Sequence, residues 1–187
     1  MSRRTALKLG LVGLVGVAVG TGSTGVITRL GRPDQPKYRF LTYEEAALLT
    51  AICEQLIPGD DTPGAAETGA VNYIDRQLCG VYQRHQQAYR RGLEAFSETC
   101  LRDHGKLFQD LPAAKQIESL RALESGRAPK ELWDQPTPQA FFNLVLAHTM
   151  QSFYGSPRHG GNRGYASYRM LGLDYPPIVG RNRPKEG

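Results

Sequence analysis

The residues best suited to chemistry lie together near the C-terminus, in Tyr154-Gly155-Ser156-Pro157-Arg158-His159-Gly160-Gly161-Asn162-Arg163-Gly164. The stretch holds four glycines, two arginines, a histidine and an asparagine, and almost nothing to bury. Glycine and asparagine reach positive φ at little steric cost, and turns built from them expose backbone N–H groups. A loop of this kind can cradle an anion, dock the backbone of a partner, or turn a corner in its own fold. It lacks the Lys and Ser/Thr that end a P-loop, and no G-x-G-x-x-G follows a strand. As a nucleotide signal it is therefore weak.

Other catalytic constellations are thin. His85, His104, His148 and His159 fall into no H-x-x-x-H or H-E-x-x-H pattern. Asp60 and Asp61 sit in a Pro/Gly turn, where paired acids hold a cation less often than they stay solvated or cap the next helix. No G-x-S-x-G elbow accompanies a histidine and an acid. Cys53, Cys79 and Cys100 form an odd set without C-x-x-C spacing, which argues against iron–sulfur and zinc ligation. Nor does a C-x-x-C-H occur for covalent haem attachment. In an oxidising compartment two of the cysteines can pair and leave one free. The other reading makes all three small buried apolar side chains. Trp133, the only tryptophan, precedes Asp134-Gln135-Pro136 in a loop. It is either a lid on the core or an interface anchor, a role in which aromatic residues are favoured.

The elements that must position these residues read as helices. Thr42-Tyr43-Glu44-Glu45 is a capping box, and Leu48, Leu49, Ile52 and Leu56 follow at helical spacing until Pro58. Asp60-Asp61-Thr62-Pro63-Gly64 is a turn. A second helix carries Val71, Ile74 and Leu78 on one face, with Gly80 as its stop. The third is expected to carry Tyr82, Tyr89, Leu93, Phe96 and Cys100 and to end near Gly105. A fourth opens at Leu111-Pro112, runs through Ile117, Leu120 and Leu123, and closes at Gly126. Thr137-Pro138, an N-cap followed by proline at the first helical position, starts an apolar helix through Phe141, Phe142, Val145, Leu146, Met150 and Phe153. His148 within it is expected to be a satisfied core or interface histidine. After the Gly-rich loop, Tyr165, Tyr168, Met170 and Leu171 are expected to pin it onto the core. No segment alternates over a strand length. The fold class is all-α, an irregular single-domain bundle of about five helices with a Gly-rich C-terminal loop.

The N-terminus is a separate object. Arg3 and Arg4 precede an uncharged stretch from Leu9 to Val19, kept only mildly hydrophobic by Gly10, Gly13 and Gly16. This reads as a twin-arginine export signal, too short to span a bilayer, which needs about 20 apolar residues. Residues 1–36 are assigned to signal and tether and 37–187 to a helical domain of about 150 residues, inside the usual single-domain range. Arg3, Arg4, Lys8, Arg29 and Arg32 account for the whole formal charge of +5; the other 18 basic residues balance 18 acidic ones. The basic balance thus belongs to the leader and does not point to nucleic acid.

Taken in order, these stretches resemble a family. The twin-arginine leader comes first, then Leu41-Thr42-Tyr43-Glu44-Glu45 and Asp61-Thr62-Pro63-Gly64-Ala65. Ala70-Val71-Asn72-Tyr73-Ile74-Asp75, Tyr89-Arg90-Arg91-Gly92-Leu93 and Pro157-Arg158-His159-Gly160-Gly161-Asn162-Arg163 follow. The pattern is similar to gluconate 2-dehydrogenase subunit 3, the small or gamma subunit of bacterial membrane-associated sugar and polyol dehydrogenases. The resemblance implies a non-catalytic periplasmic escort for a large FAD-dependent subunit exported by the twin-arginine translocase. It also implies that electrons pass to a multi-haem cytochrome c subunit, so that FAD and haem c sit on other chains. Catalytic, cofactor-binding and metal-binding residues are then not expected in this chain. Trp133, His159, Gly160, Gly161, Asn162 and Arg163 become a docking or structural loop, and an exposed apolar surface is expected. The competing reading is a free-standing exported enzyme or ligand-binding protein using a polar site near Asp61, His159 and Arg163.

Overall fold

The computed structural model describes residues 38–173. Arg3, Arg4 and the rest of the expected export signal lie outside the described residues. The described residues form only helices and turns: α1 (Tyr43–Leu56), α2 (Ala70–Leu78), α3 (Gln86–His104), α4 (Ala113–Glu124), α5 (Pro138–Tyr154) and the short α6 (Ala166–Met170). The all-α expectation holds, with α6 added to the five helices anticipated.

Local signals set the helix ends. Thr42 Oγ1 accepts from Glu45 N–H at 3.2 Å while Glu45 Oε2 accepts from Thr42 N–H at 2.8 Å, so the capping box closes in both directions. Thr137 Oγ1 accepts from Ala140 N–H at 3.2 Å and Pro138 fills the first position of α5. Helix α3 ends in the left-handed Gly105 (φ 67°), whose N–H reaches Leu101 O.

Helix α5 is the strut of the bundle, packing on each of the other five helices. It buries Phe141, Val145 and Phe153 among Leu49, Ile52, Ile74, Leu93 and Phe96. Its closest neighbour at one point is Gly92 of α3, where an added Cβ would lie 2.1 Å from Phe141 Cδ2. No helix among the described residues is long and apolar enough to cross a membrane.

Three local expectations are corrected. Tyr82 lies outside α3: the chain turns after α2, with Tyr82 N–H donating to Gln77 O at 2.8 Å and Gln86 Nε2 to Leu78 O at 2.9 Å. This turn points the Tyr82 ring inward. Ile117 is 41% exposed, because α4 turns Gln116 inward instead. Gln116 Nε2 donates to the Phe108 carbonyl at 2.8 Å and its Oε1 accepts from Gln55 Nε2 at 2.6 Å. A buried carbonyl left unpaired costs more than an exposed isoleucine. Finally, Tyr165, Met170 and Leu171 face outward, and the buried residues that fasten α6 are Ala166 and Ser167.

Candidate functional site

The site begins with an acid inside an apolar stripe. Helix α2 buries Val71, Ile74 and Leu78, and on the same face Asp75, which is 2% exposed. Its carboxylate accepts the backbone N–H groups of Arg39 (2.7 Å), Phe40 (2.9 Å) and Leu41 (2.9 Å). The segment that enters α1 therefore hangs from α2. Asp75 was not legible as a functional position, although an acid in register with Val71, Ile74 and Leu78 was the available signal. Buried charges require partners, and backbone donors supply them here.

The Gly-rich loop packs against this platform. Three of its residues are left-handed, Gly160 (φ 103°), Asn162 (φ 45°) and Gly164 (φ 63°), as is Tyr165 (φ 58°) just after it. Gly161 is required for closeness, since a Cβ there would lie 2.2 Å from Ser152 Oγ and 2.5 Å from Ser152 O of α5. Asn162 is fully buried; its Nδ2 donates to Gly155 O at 2.8 Å and its Oδ1 accepts from Ser167 N–H at 3.0 Å. Arg163 N–H donates to Thr68 O at 3.1 Å, tying the loop to the residues before α2. The Asn162 side chain and the Arg163 N–H are thus spent on the fold. Ser152 closes off one side of the Gly160–Gly161 backbone, and the Arg76 side chain lies against another.

The side chains flanking the loop are a different matter. A cleft of about 570 Å³ lies between α2 and the loop, lined by Arg39, Asn72, Asp75, Arg76, Pro157, Gly160 and Arg163. Arg39, Arg76 and Arg163 are all exposed at its surface. Of the polar group Asp61, His159 and Arg163, only Arg163 lines this cleft. His159 is exposed and accepts from Arg158 Nε at 3.0 Å. Asp61 is exposed in the turn after α1. That turn is held by Glu54, which accepts from Gly59 and Ala66 N–H at 2.9 and 3.1 Å. Asp60 accepts from Thr62 N–H at 2.9 Å, and this bond lowers its carboxyl below the ordinary range.

Trp133 is 8% exposed: its indole Nε1 donates to Thr99 Oγ1 at 3.0 Å and its ring lies against Phe141. It thus forms a lid on the core. The exposed apolar side chains sit elsewhere, including Met150 and Tyr154 one turn apart on α5, Val81, and Met170, Leu171 and Leu173 at the end of the described chain.

His148 is a satisfied core histidine. Its Nδ1 pairs with Tyr89 Oη at 3.0 Å, and its ring stacks on Tyr82 with centroids 4.0 Å apart and planes 3° from parallel. Tyr82 Oη in turn meets Tyr73 Oη at 3.1 Å. Burial, with the positive charges of His85 and Arg84 adding to it, pushes the His148 imidazole down to about 4, so it is neutral near pH 7. Burial raises the Tyr73 and Tyr89 hydroxyls above their ordinary values. His148, Tyr73, Tyr82 and Tyr89 thus pack as an aromatic group linked by hydrogen bonds, with Tyr82 Oη also donating to Gln151 Oε1.

The cysteines follow neither sequence expectation whole. All three are free thiols, with Cys53 and Cys100 buried and Cys79 exposed. Burial pushes Cys53 and Cys100 each up to about 12. Among the described residues no group of three His, Cys, Asp or Glu side chains is placed to hold a metal ion.

Two stretches singled out in the sequence, Ala70–Asp75 and Pro157–Arg163, meet at this cleft. Comparison with curated proteins and with solved structures gives no match. The family model described as gluconate 2-dehydrogenase subunit 3 matches residues 43–174, which takes in all six helices and the Gly-rich loop. The chain belongs to the gluconate 2-dehydrogenase subunit 3 family.

Proposed function

We propose that this chain is the non-catalytic small subunit of an exported, membrane-associated FAD-dependent dehydrogenase of sugars, polyols or sugar acids. In this role it supports the folding, stability and twin-arginine export of the large flavoprotein subunit. Residues 1–36 act as signal and tether, with Arg3 and Arg4 engaging the translocase, and residues 37–187 form the partner-binding domain. FAD belongs to the large subunit, and a multi-haem cytochrome c subunit carries the electrons onward in the periplasm. The observation that carries this reading is family membership over residues 43–174. Two further features support it. In the loop richest in candidate catalytic residues Asn162 is taken up by the loop's own packing, and Asp61 and His159 do not line the cleft that holds Arg163. The outward Met150, Tyr154 and Val81 side chains suit coverage by a partner.

The test is purification of the tagged chain from its native membrane fraction, with flavin absorbance and co-purifying proteins recorded. The expected result is a flavin-bearing large subunit in the eluate. With Arg3→Lys/Arg4→Lys, both chains are expected to remain in the cytoplasm. A chain recovered exported, alone and colourless would overturn the proposal in favour of a free-standing exported protein.

A further inference from the structure

We infer that the cleft between α2 and the Pro157–Arg163 loop receives a carboxylate-bearing segment of the large subunit, gripped by the guanidinium groups of Arg39, Arg76 and Arg163. The inference rests on the small-subunit reading and names the place where the partner docks.

The three arginines come from distant parts of the chain, one before α1, one within α2 and one after α5, so only the folded domain assembles them. Each is placed by a specific device. The backbone of Arg39 is fixed through its own N–H, which Asp75 holds at 2.7 Å, so its side chain starts from the rim of the cleft. Arg76 lies over Gly160, where an added Cβ would approach its Cδ and Nη1 to 3.2 Å. Arg163 lies over Gly69, where an added Cβ would approach its Nε to 2.8 Å. Gly69 and Gly160 are both left-handed (φ 88° and 103°), so the backbone that makes room for these two side chains is already committed to glycine.

The cleft is short of negative charge. Asp75 is the one acid that lines it, and both its oxygens already accept backbone N–H groups. The ion pairs among the described residues join Arg90 to Glu45, Arg102 to Glu131 and Lys115 to Glu118, and none includes Arg39, Arg76 or Arg163. Outside the leader the chain carries equal numbers of acids and bases, so this positive cluster is local and does not reflect a generally basic surface. Guanidinium forks match carboxylates in two-bond geometry, and fixed cations aimed at one concavity select and orient an acidic partner. Asn72 adds an uncharged amide at the rim. A cleft of about 570 Å³ admits one or two acidic side chains with the backbone between them.

The experiment measures the affinity of the full-length chain for the large flavoprotein subunit at several ionic strengths. Wild type is compared with Arg76→Glu/Arg163→Glu, with the triple variant that adds Arg39→Glu, and with Arg76→Gln/Arg163→Gln. Melting temperatures of each variant alone verify that the exposed substitutions leave the domain folded. Reversal is expected to weaken assembly by about 100-fold at low salt and to flatten its salt dependence, with the neutral pair intermediate. Wild-type affinity and salt slope in the triple variant would overturn the inference while leaving the small-subunit reading intact. The same holds if millimolar phosphate or citrate stabilises the wild-type chain, but not the variants, and assembly is unaffected. That pattern would assign the arginines to a free anion. If the wild-type chain binds no large subunit at all, the small-subunit reading itself fails, and this inference with it.

Discussion

Removing the Asp75 carboxylate should loosen the front of the domain in a graded way that the geometry specifies. A hydrogen bond to a charged acceptor contributes about 1.5–3 kcal/mol, and Asp75 accepts three. The losses do not simply add. Arg39 is exposed and Phe40 half-buried, so their N–H groups can turn to water once released, whereas Leu41 is 6% exposed and its donor is left unpaired. Asp75→Ala is therefore expected to cost about 3 kcal/mol. Asp75→Asn should cost about half as much. Oδ1 receives both Phe40 and Leu41, so an amide oxygen in that position retains those two bonds, and only the Arg39 donor meets an NH₂ group.

Urea unfolding of the full-length chain measures both variants, with m values checked for constancy so that midpoints report stability. For a domain of this size a loss of about 3 kcal/mol lowers Tm by about 6–12 °C. Amide exchange at residues 39–41 should accelerate ahead of global opening, because these three N–H groups lose their acceptor while Arg90 still holds the Phe40 carbonyl. An Asp75→Ala midpoint within about 0.5 kcal/mol of wild type would refute the reasoning, as would equal costs for Ala and Asn.

Other consequences are checkable with the same equipment. Gly92→Ala gains about 1 kcal/mol of helix propensity but drives a methyl into the Phe141 ring, where overpacking costs about 1–3 kcal/mol; the urea midpoint should fall, and a rise would sink the claim of contact. Asn162→Gly keeps the left-handed backbone and loses two side-chain hydrogen bonds, about 1–2 kcal/mol, while Asn162→Ala adds backbone strain of about 1 kcal/mol; the two urea curves should differ in that order. Because His148 is pushed down to about 4, the unfolded chain binds its proton first, so the stability it contributes is complete above about pH 6.5 and is lost as pH falls toward 4. His148→Gln should flatten the midpoint profile over the upper part of that window, and an unaltered profile would exclude the residue as its source. A thiol reagent should titrate Cys79 in the folded chain and reach Cys53 and Cys100 only after denaturation.

The parts of this fold that could be read from sequence are those governed by neighbours in the chain. The Thr42–Glu45 box, the Thr137-Pro138 start and the Gly105 stop each need only three or four residues to act, and all three lie where expected. Where distant partners decide, the local pattern misleads. Tyr82 fits the spacing of α3 well enough, but its ring is turned inward to stack on His148. Ile117 fits the stripe of α4, yet Gln116 takes the inner place because the Phe108 carbonyl needs a donor. Asp75 sits in the apolar stripe of α2, and nothing near it in sequence announces the three N–H groups waiting in front of α1.

The same distinction explains why the candidate site moved. A cluster of Gly, Arg, His and Asn looks like chemistry because its residue types are adjacent, but adjacency also describes a tight turn that must satisfy its own backbone. Asn162 and Gly161 answer that local demand, and once it is met their groups are unavailable to a ligand. The groups left over are side chains whose bulk points away from the turn. Arg163 remains from the loop, and it gains meaning only beside Arg39 and Arg76, residues that no sequence window contains together. Charge counting conceals them as well, because a balanced total averages a local excess of cations against acids elsewhere on the surface. For the small-subunit role proposed above, such residues are the expected carriers of function. Recognition requires groups the fold has positioned and not consumed, and in the docking site proposed above those are three arginines around one carboxylate whose oxygens are already engaged.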